Sequence, residues 1–188
     1  MQFVEQQISG VYEIKCAPHE DARGYFMRTY DEAIFEKHGL NRKWVQENHS
    51  LSRVKGTVRG IHFQYAPDCE TKLLRVSTGA IFFAVTDLRR NSPTLGKWIS
   101  VVVSAEKKNL LYIPRGCAPG MCTLTDDCNL SYKVDNFYNP NNEDVLLWND
   151  PDLGIQWPVS EPAVISDRDA KGRSLQEILA KCDNGIVP

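Results

Sequence analysis

The chain has 188 residues and a net charge of -2, with 42% hydrophobic and 24% charged residues, enough for one domain (expected to span 1–188) with a sizeable core. Near-balanced charge gives no reason to expect nucleic acid or an anionic membrane as partner. No apolar run approaches transmembrane length, and the six scattered cysteines (Cys16, Cys69, Cys117, Cys122, Cys128, Cys182) contain no C-x-x-C pair, which reads as buried or idle thiols ahead of disulfides or a zinc site.

The start, Met1-Gln2-Phe3-Val4-Glu5-Gln6-Gln7, lacks the basic-then-apolar order of a signal peptide, so a cytoplasmic location is expected. To about Tyr30 the pattern predicts short strands broken by the polar turn His19-Glu20-Asp21-Ala22-Arg23-Gly24. A helix is predicted over 31–38: Asp31 caps it, Ile34 and Phe35 are its apolar face, and Gly39 supplies a left-handed stop. Val58-Arg59-Gly60-Ile61-His62-Phe63-Gln64 alternates as a half-buried strand. Val58 and Ile61 are out of phase, which marks Gly60 as a bulge or a close backbone approach. Apolar runs follow over 73–76, 80–88, 98–103 and 110–113, then around 121–124 and 130–134, separated by turn formers. Ser174 caps a last short helix carrying Leu175, Ile178 and Leu179. Serial strands without intervening helices predict a mainly β protein, an antiparallel sandwich or barrel with a few short peripheral helices.

One stretch carries more chemistry than packing needs. Arg59, His62, Gln64 and Lys72 place two permanent cations, an imidazole and an amide within a short span. Read alone, His62 fits a satisfied core histidine at least as well as a catalytic one. Metal ligation has little to stand on, since only His19, His38, His49 and His62 exist and none are two residues apart.

The pattern Gln46-x-Asn48-x-Ser50-x-Ser52…Gly56-x-Val58-Arg59-Gly60-Ile61-His62-x-Gln64…Lys72 resembles the dTDP-4-dehydrorhamnose 3,5-epimerase family. Asp21-Ala22-Arg23-Gly24-Tyr25-Phe26 and Asp87-Leu88-Arg89…Ser92-Pro93-Thr94-Leu95-Gly96-Lys97-Trp98 match further motifs in order. So do Tyr132-Lys133…Tyr138-Asn139-Pro140, Trp148-Asn149-Asp150-Pro151 and Ser166-Asp167-Arg168-Asp169. The resemblance implies a cupin-type jelly roll, a homodimer with N-terminal strands shared between subunits, and a cofactor-independent, metal-free epimerase. Its substrate would be a nucleotide-diphosphate-linked 4-keto-6-deoxyhexose, in deoxysugar biosynthesis for surface polysaccharide or glycosylated metabolites.

By position, the resemblance makes His62 the base, Asp169 the carboxylate that fixes its tautomer, Tyr132 the acid and Lys72 the cation beside the enolate. Arg23 and Arg59 match diphosphate-binding positions, where a guanidinium fork suits phosphate oxygens. Gln46 and Asn48 match sugar or base contacts, and Phe26, Arg28, Tyr138 and Arg168 complete the expected substrate-binding set. Three departures stand out. The family's A-H-G-F reads Ala118-Pro119-Gly120-Met121, its D-x-R-G-x-F-x-E ends in Arg28, and its S-x-K-D reads Ser166-Asp167-Arg168-Asp169. Thymine offers an N3–H donor that a carboxylate accepts, whereas cytosine offers an N3 acceptor that an arginine satisfies. Arg28 therefore points to a CDP-linked substrate, and the loss of a polar pocket residue at Pro119 to inversion at C3 alone. The alternatives are an ordinary dTDP-sugar 3,5-epimerase and a non-catalytic cupin that binds a nucleotide sugar or carbohydrate.

Overall fold

The computed structural model describes residues 1–181, so Cys182 lies outside the described residues. In chain order the elements are β1 (Gln2–Glu5), β2 (Tyr12–Lys15), β3 (His19–Asp21), β4 (Gly24–Phe26), α1 (Glu32–Lys37), β5 (Gln46–Ser52), β6 (Val58–Arg59) and β7 (His62–Gln64). There follow β8 (Lys72–Thr78), β9 (Ala80–Asp87), β10 (Trp98–Ser104), β11 (Asn109–Ile113), β12 (Cys117–Thr123), β13 (Cys128–Val134), β14 (Glu143–Val145), α2 (Asp167–Ala170) and α3 (Leu175–Lys181). A six-stranded sheet runs β1-β2-β11-β8-β13-β5 and a four-stranded sheet runs β10-β9-β12-β6, while β14 pairs with β7 and β3 with β4. All the strand pairs are antiparallel. This is the mainly β, antiparallel architecture that serial strands predict, in the jelly-roll form that the resemblance implies.

Alternation of side chains explains three apolar layers. Leu74, Val76, Leu111, Ile113 and Leu130 of the six-stranded sheet meet Ile81, Phe83, Val85, Val101 and Met121 of the four-stranded sheet to form the inner core. The other face of the six-stranded sheet, with Ile14, Leu73, Leu110 and Tyr112, is covered by Phe35 of α1. Beyond the four-stranded sheet, Ala84, Ala118, Leu153, Ile155, Leu175 and Ile178 pack together. Strand β9 is therefore covered on both faces, which is why its sequence reads as a continuous apolar run.

Both predicted helix starts are present. Asp31 caps α1 by accepting from the Ile34 amide, and Gly39 follows with φ +69°. Ser174 and Glu177 exchange hydrogen bonds at the start of α3 in a capping box. The five described cysteines are free thiols. Burial pushes Cys117 up to about 12 and Cys122 up to about 11, so neither is a nucleophile near neutral pH.

Two expectations need correction. The polar segment at 19–24 is no mere turn, because His19–Asp21 is itself a strand of the β3–β4 hairpin. The strand expected over 58–64 is two strands in different sheets, broken at Gly60 and Ile61: β6 pairs with β12, while β7 pairs with β14. Gly60 turns the chain at φ +103°, and a Cβ there would lie 2.9 Å from the Pro119 carbonyl oxygen and 3.0 Å from the Gly120 Cα. The close approach wins over a continuous ladder. Gly60→Ala is expected to cost about 2–4 kcal/mol through left-handed strain plus overpacking. Gly39→Ala, with nothing within 4 Å of its new Cβ, should lose only the strain of about 1–2 kcal/mol. Urea midpoints of the two variants check the order.

Candidate active site

The break at Gly60 exists because its amide is claimed from far along the chain. Ser166 caps the short helix α2 by accepting from the Asp169 amide at 3.1 Å, which turns the Asp169 carboxylate inward. One oxygen, Oδ2, accepts the Gly60 N–H at 2.9 Å; the other, Oδ1, lies 2.7 Å from His62 Nε2. Burial pushes the Asp169 carboxyl up, but the hydrogen bonds from His62 and Gly60 outweigh it and hold the group below the usual carboxylate range. An ionised carboxylate only accepts, so Nε2 carries the hydrogen and the neutral ring keeps its lone pair on Nδ1. That ring lines a cavity of about 200 Å³.

The cavity lining is mixed. Ser50, Arg59, His62, Lys72 and Tyr132 supply its polar groups, and Leu74, Phe83, Pro119, Met121 and Leu130 its apolar ones. Arg59 is held by neutral oxygens, its Nε on Ser52 Oγ at 3.1 Å and Nη2 on the Leu51 carbonyl at 3.3 Å. Its charge is left for an anionic ligand. The Lys72 ammonium sits 5.7 Å from the Tyr132 ring centroid and donates to Glu70 Oε1 at 2.6 Å. Pro119 lies on β12 beyond its last pair with β6; being proline it has no N–H to donate, and its side chain contributes only apolar surface.

Other expected residues sit outside this cavity. Gln46 Oε1 accepts the Tyr138 amide at 2.8 Å, and the Tyr138 hydroxyl donates to Glu143 Oε2 at 2.8 Å. Arg168 pairs with the same Glu143 oxygen, and Glu143 opposes Gln64 of β7. Gln46, Tyr138 and Arg168 thus form one cluster beside β7, the strand that carries His62. Asn48 is exposed on β5 opposite Tyr132. Arg23 is tied to Asp21 and Arg28 to Asp31, while Phe26 is 68% exposed on the β3–β4 hairpin. None of these three lines the cavity of its own chain. Gln64 proves structural: buried, it accepts the Asn139 amide and donates to the Asp68 and Phe137 carbonyls.

Several motifs serve the frame. Asp87 accepts from Arg89, Ser92 and Thr94, which closes the corner after β9. Asp150 accepts the Leu153 and Leu175 amides, pinning its loop to α3. Sequence reasoning missed Glu70 and Glu143. The first had a signal, since residues i and i+2 of an extended segment share a face and Lys72 follows by two. The second had none.

The family model for dTDP-4-dehydrorhamnose 3,5-epimerase matches residues 5–177. A dTDP-4-dehydrorhamnose 3,5-epimerase from Methanothermobacter thermautotrophicus is 40% identical over 177 residues, covering 93% of this chain and 95% of that protein. The crystal structure of dTDP-4-dehydrorhamnose 3,5-epimerase from Bacillus anthracis, with TDP and PPi bound, superposes with a TM-score of 0.89 at 36% identity, covering 92% of this chain and 98% of the other. A 3'-monoepimerase from Streptomyces bikiniensis in complex with dTDP-quinovose gives a TM-score of 0.85 at 31% identity, covering 92% and 87%.

A carboxyl whose folded-state pKa lies below its unfolded value stabilises the fold above the unfolded pKa, and that contribution is lost as pH falls through the folded value. Wild type should therefore be more stable than Asp169→Asn at neutral pH, with the gap closing below about pH 4. Denaturant titrations across that range check this, and a gap independent of pH would show that the charge contributes nothing.

Proposed function

The chain belongs to the dTDP-4-dehydrorhamnose 3,5-epimerase family, and on that premise we propose that it inverts C3 and C5 of a thymidine-diphosphate-linked 4-keto-6-deoxyhexose. The observation that carries this reading is that His62, held by Asp169, shares one cavity with Lys72 and Tyr132. Hydrogens at C3 and C5 are acidic because each neighbours the C4 ketone. His62 Nδ1 removes one, and the electron pair of the C–H bond moves to the C4 oxygen as an enolate. Lys72 donates to that oxygen, where charge develops. Asp169 holds Nε2–H throughout and stabilises the imidazolium once it forms. Tyr132 delivers its phenolic proton to the other side of the carbon while the enolate collapses to the ketone. The phenolate and the imidazolium then re-equilibrate with solvent. Each cycle breaks one C–H bond and makes another at the same carbon, so the net change is stereochemical.

Arg59 is the diphosphate ligand within the chain. Arg23 and Phe26 belong to the exposed β3–β4 hairpin and Arg28 follows it, and the reading gives all three to the cavity of a second copy. Mixing Arg23→Ala with His62→Ala protein should then restore part of the activity that each lacks alone. No recovery after subunit exchange would remove the shared-strand dimer.

Thymidine is preferred here to the cytidine expected from Arg28. Arg28 already pairs with Asp31, and the Bacillus anthracis relative holds TDP. The family's isomerase activity likewise displaces the binding-only alternative. One observation favours a second regiochemistry: Pro119 does line the cavity, and a 3'-monoepimerase is among the solved relatives. Epimerisation at both carbons requires the sugar to re-seat between steps, and an apolar wall limits the poses available.

The decisive measurement is NMR of the TDP- and CDP-linked 4-keto-6-deoxyglucoses in deuterated water. Wild type should exchange C3 and C5 hydrogens of the TDP sugar, exchange at C3 alone would establish the second regiochemistry, and a preference for the CDP sugar would reverse the nucleotide assignment. His62→Ala should lose about 10²–10⁴ in exchange rate with nucleotide affinity retained. Tyr132→Phe should keep deuterium wash-in and lose inversion; both falling together would give Tyr132 another role.

A further inference from the structure

We infer that Glu70 is a positioning residue for the reaction: its carboxylate fixes the Lys72 ammonium where the enolate oxygen forms. The inference rests on the assignment of Lys72 to that oxygen. Lys72 Nζ donates to Glu70 Oε1 at 2.6 Å, and both side chains are only 11% exposed. The pair is built into the chain entering β8. Thr71 is buried and its amide donates to Asp135 Oδ1 at 2.6 Å, so residues 70 and 72 turn to the other side together.

Among the described residues no other carboxylate pairs with Lys72. None lines the cavity, and Asp135 is already engaged by Arg115 and Arg42. Asp169 is committed to His62 and Gly60. The remaining charged or titratable groups lining the cavity are Arg59, His62 and Tyr132. The first repels the ammonium, the second is neutral or cationic, and the third offers its ring face. The side chains of Phe83, Pro119 and Met121, which line the same cavity, offer no anion. A cation in that setting is costly without an anion beside it.

An unpaired ammonium would lose the charge-assisted hydrogen bond that fixes its direction. Glu70→Gln keeps a hydrogen-bond acceptor and removes the charge. It is expected to lower kcat about tenfold or more, short of the roughly 10²–10³ loss that follows outright removal of an oxyanion donor. KM should stay within about threefold, because the nucleotide contacts lie elsewhere. Glu70→Asp, which retains the charge, should keep most of kcat.

A Glu70→Gln variant with a lowered Tm but a wild-type kcat would overturn the inference, since that is the behaviour of a merely structural residue. If Glu70→Gln does not fold, a kcat in Glu70→Asp as low as that of Lys72→Met would overturn it equally. Lys72→Met run alongside separates the two levels. Wild-type deuterium exchange in Lys72→Met would remove the assignment of Lys72 itself, whereas impaired Lys72→Met with unimpaired Glu70→Gln would remove only the role of Glu70.

Discussion

Two hydrogen bonds to one carboxylate hold the site together. Asp169 accepts the Gly60 amide with one oxygen and His62 Nε2 with the other, joining residues more than a hundred positions apart. Had either donor been missing, a buried carboxylate oxygen would have lost its partner at a cost of about 1–3 kcal/mol or more. The same interaction makes the chain leave the four-stranded sheet after Arg59 and start a new pairing at His62. The backbone break, the imidazole tautomer and the place of α2 therefore share one cause.

Around that centre the sandwich supplies rigidity. Because β9 is covered on both faces, Phe83 on one side of the cavity is anchored in the inner core. Strands β8 and β13 present Lys72 and Tyr132 from the neighbouring sheet. Mechanistic groups thus ride on paired strands, and their spacing is fixed by ladder geometry instead of loop conformation. The exposed pieces are the hairpin bearing Phe26 and the segment bearing Tyr138.

Lys72 is paired with Glu70 at the cavity, and Arg168 is paired with Glu143 outside it. Arg59 rests on neutral oxygens instead, which suits the diphosphate role proposed for it. The apolar side chains of Phe83, Pro119 and Met121 in the same cavity lower the local dielectric and so strengthen the Lys72–Glu70 pairing.

The succession of strands, the two capped helices and the apolar run of β9 were legible in the sequence, because period, caps and turn residues are local signals. The motif register also singled out His62, Asp169, Lys72 and Tyr132, of which the fold brings three to one cavity, with Asp169 behind His62. What the sequence could not express was partnership across the fold. Gly60 announced a close approach, yet only the tertiary structure identified Pro119, Gly120 and the Asp169 carboxylate as what approaches. Gln64 looked like a site residue and is a brace, since its amide meets backbone groups of residues 68, 137 and 139 that no local pattern connects to it. Arg28 was read through the chemistry of a nucleobase, but in the folded chain its nearest charge is Asp31. Local periodicity determines which residues face inward; long-range packing alone decides which of them meet.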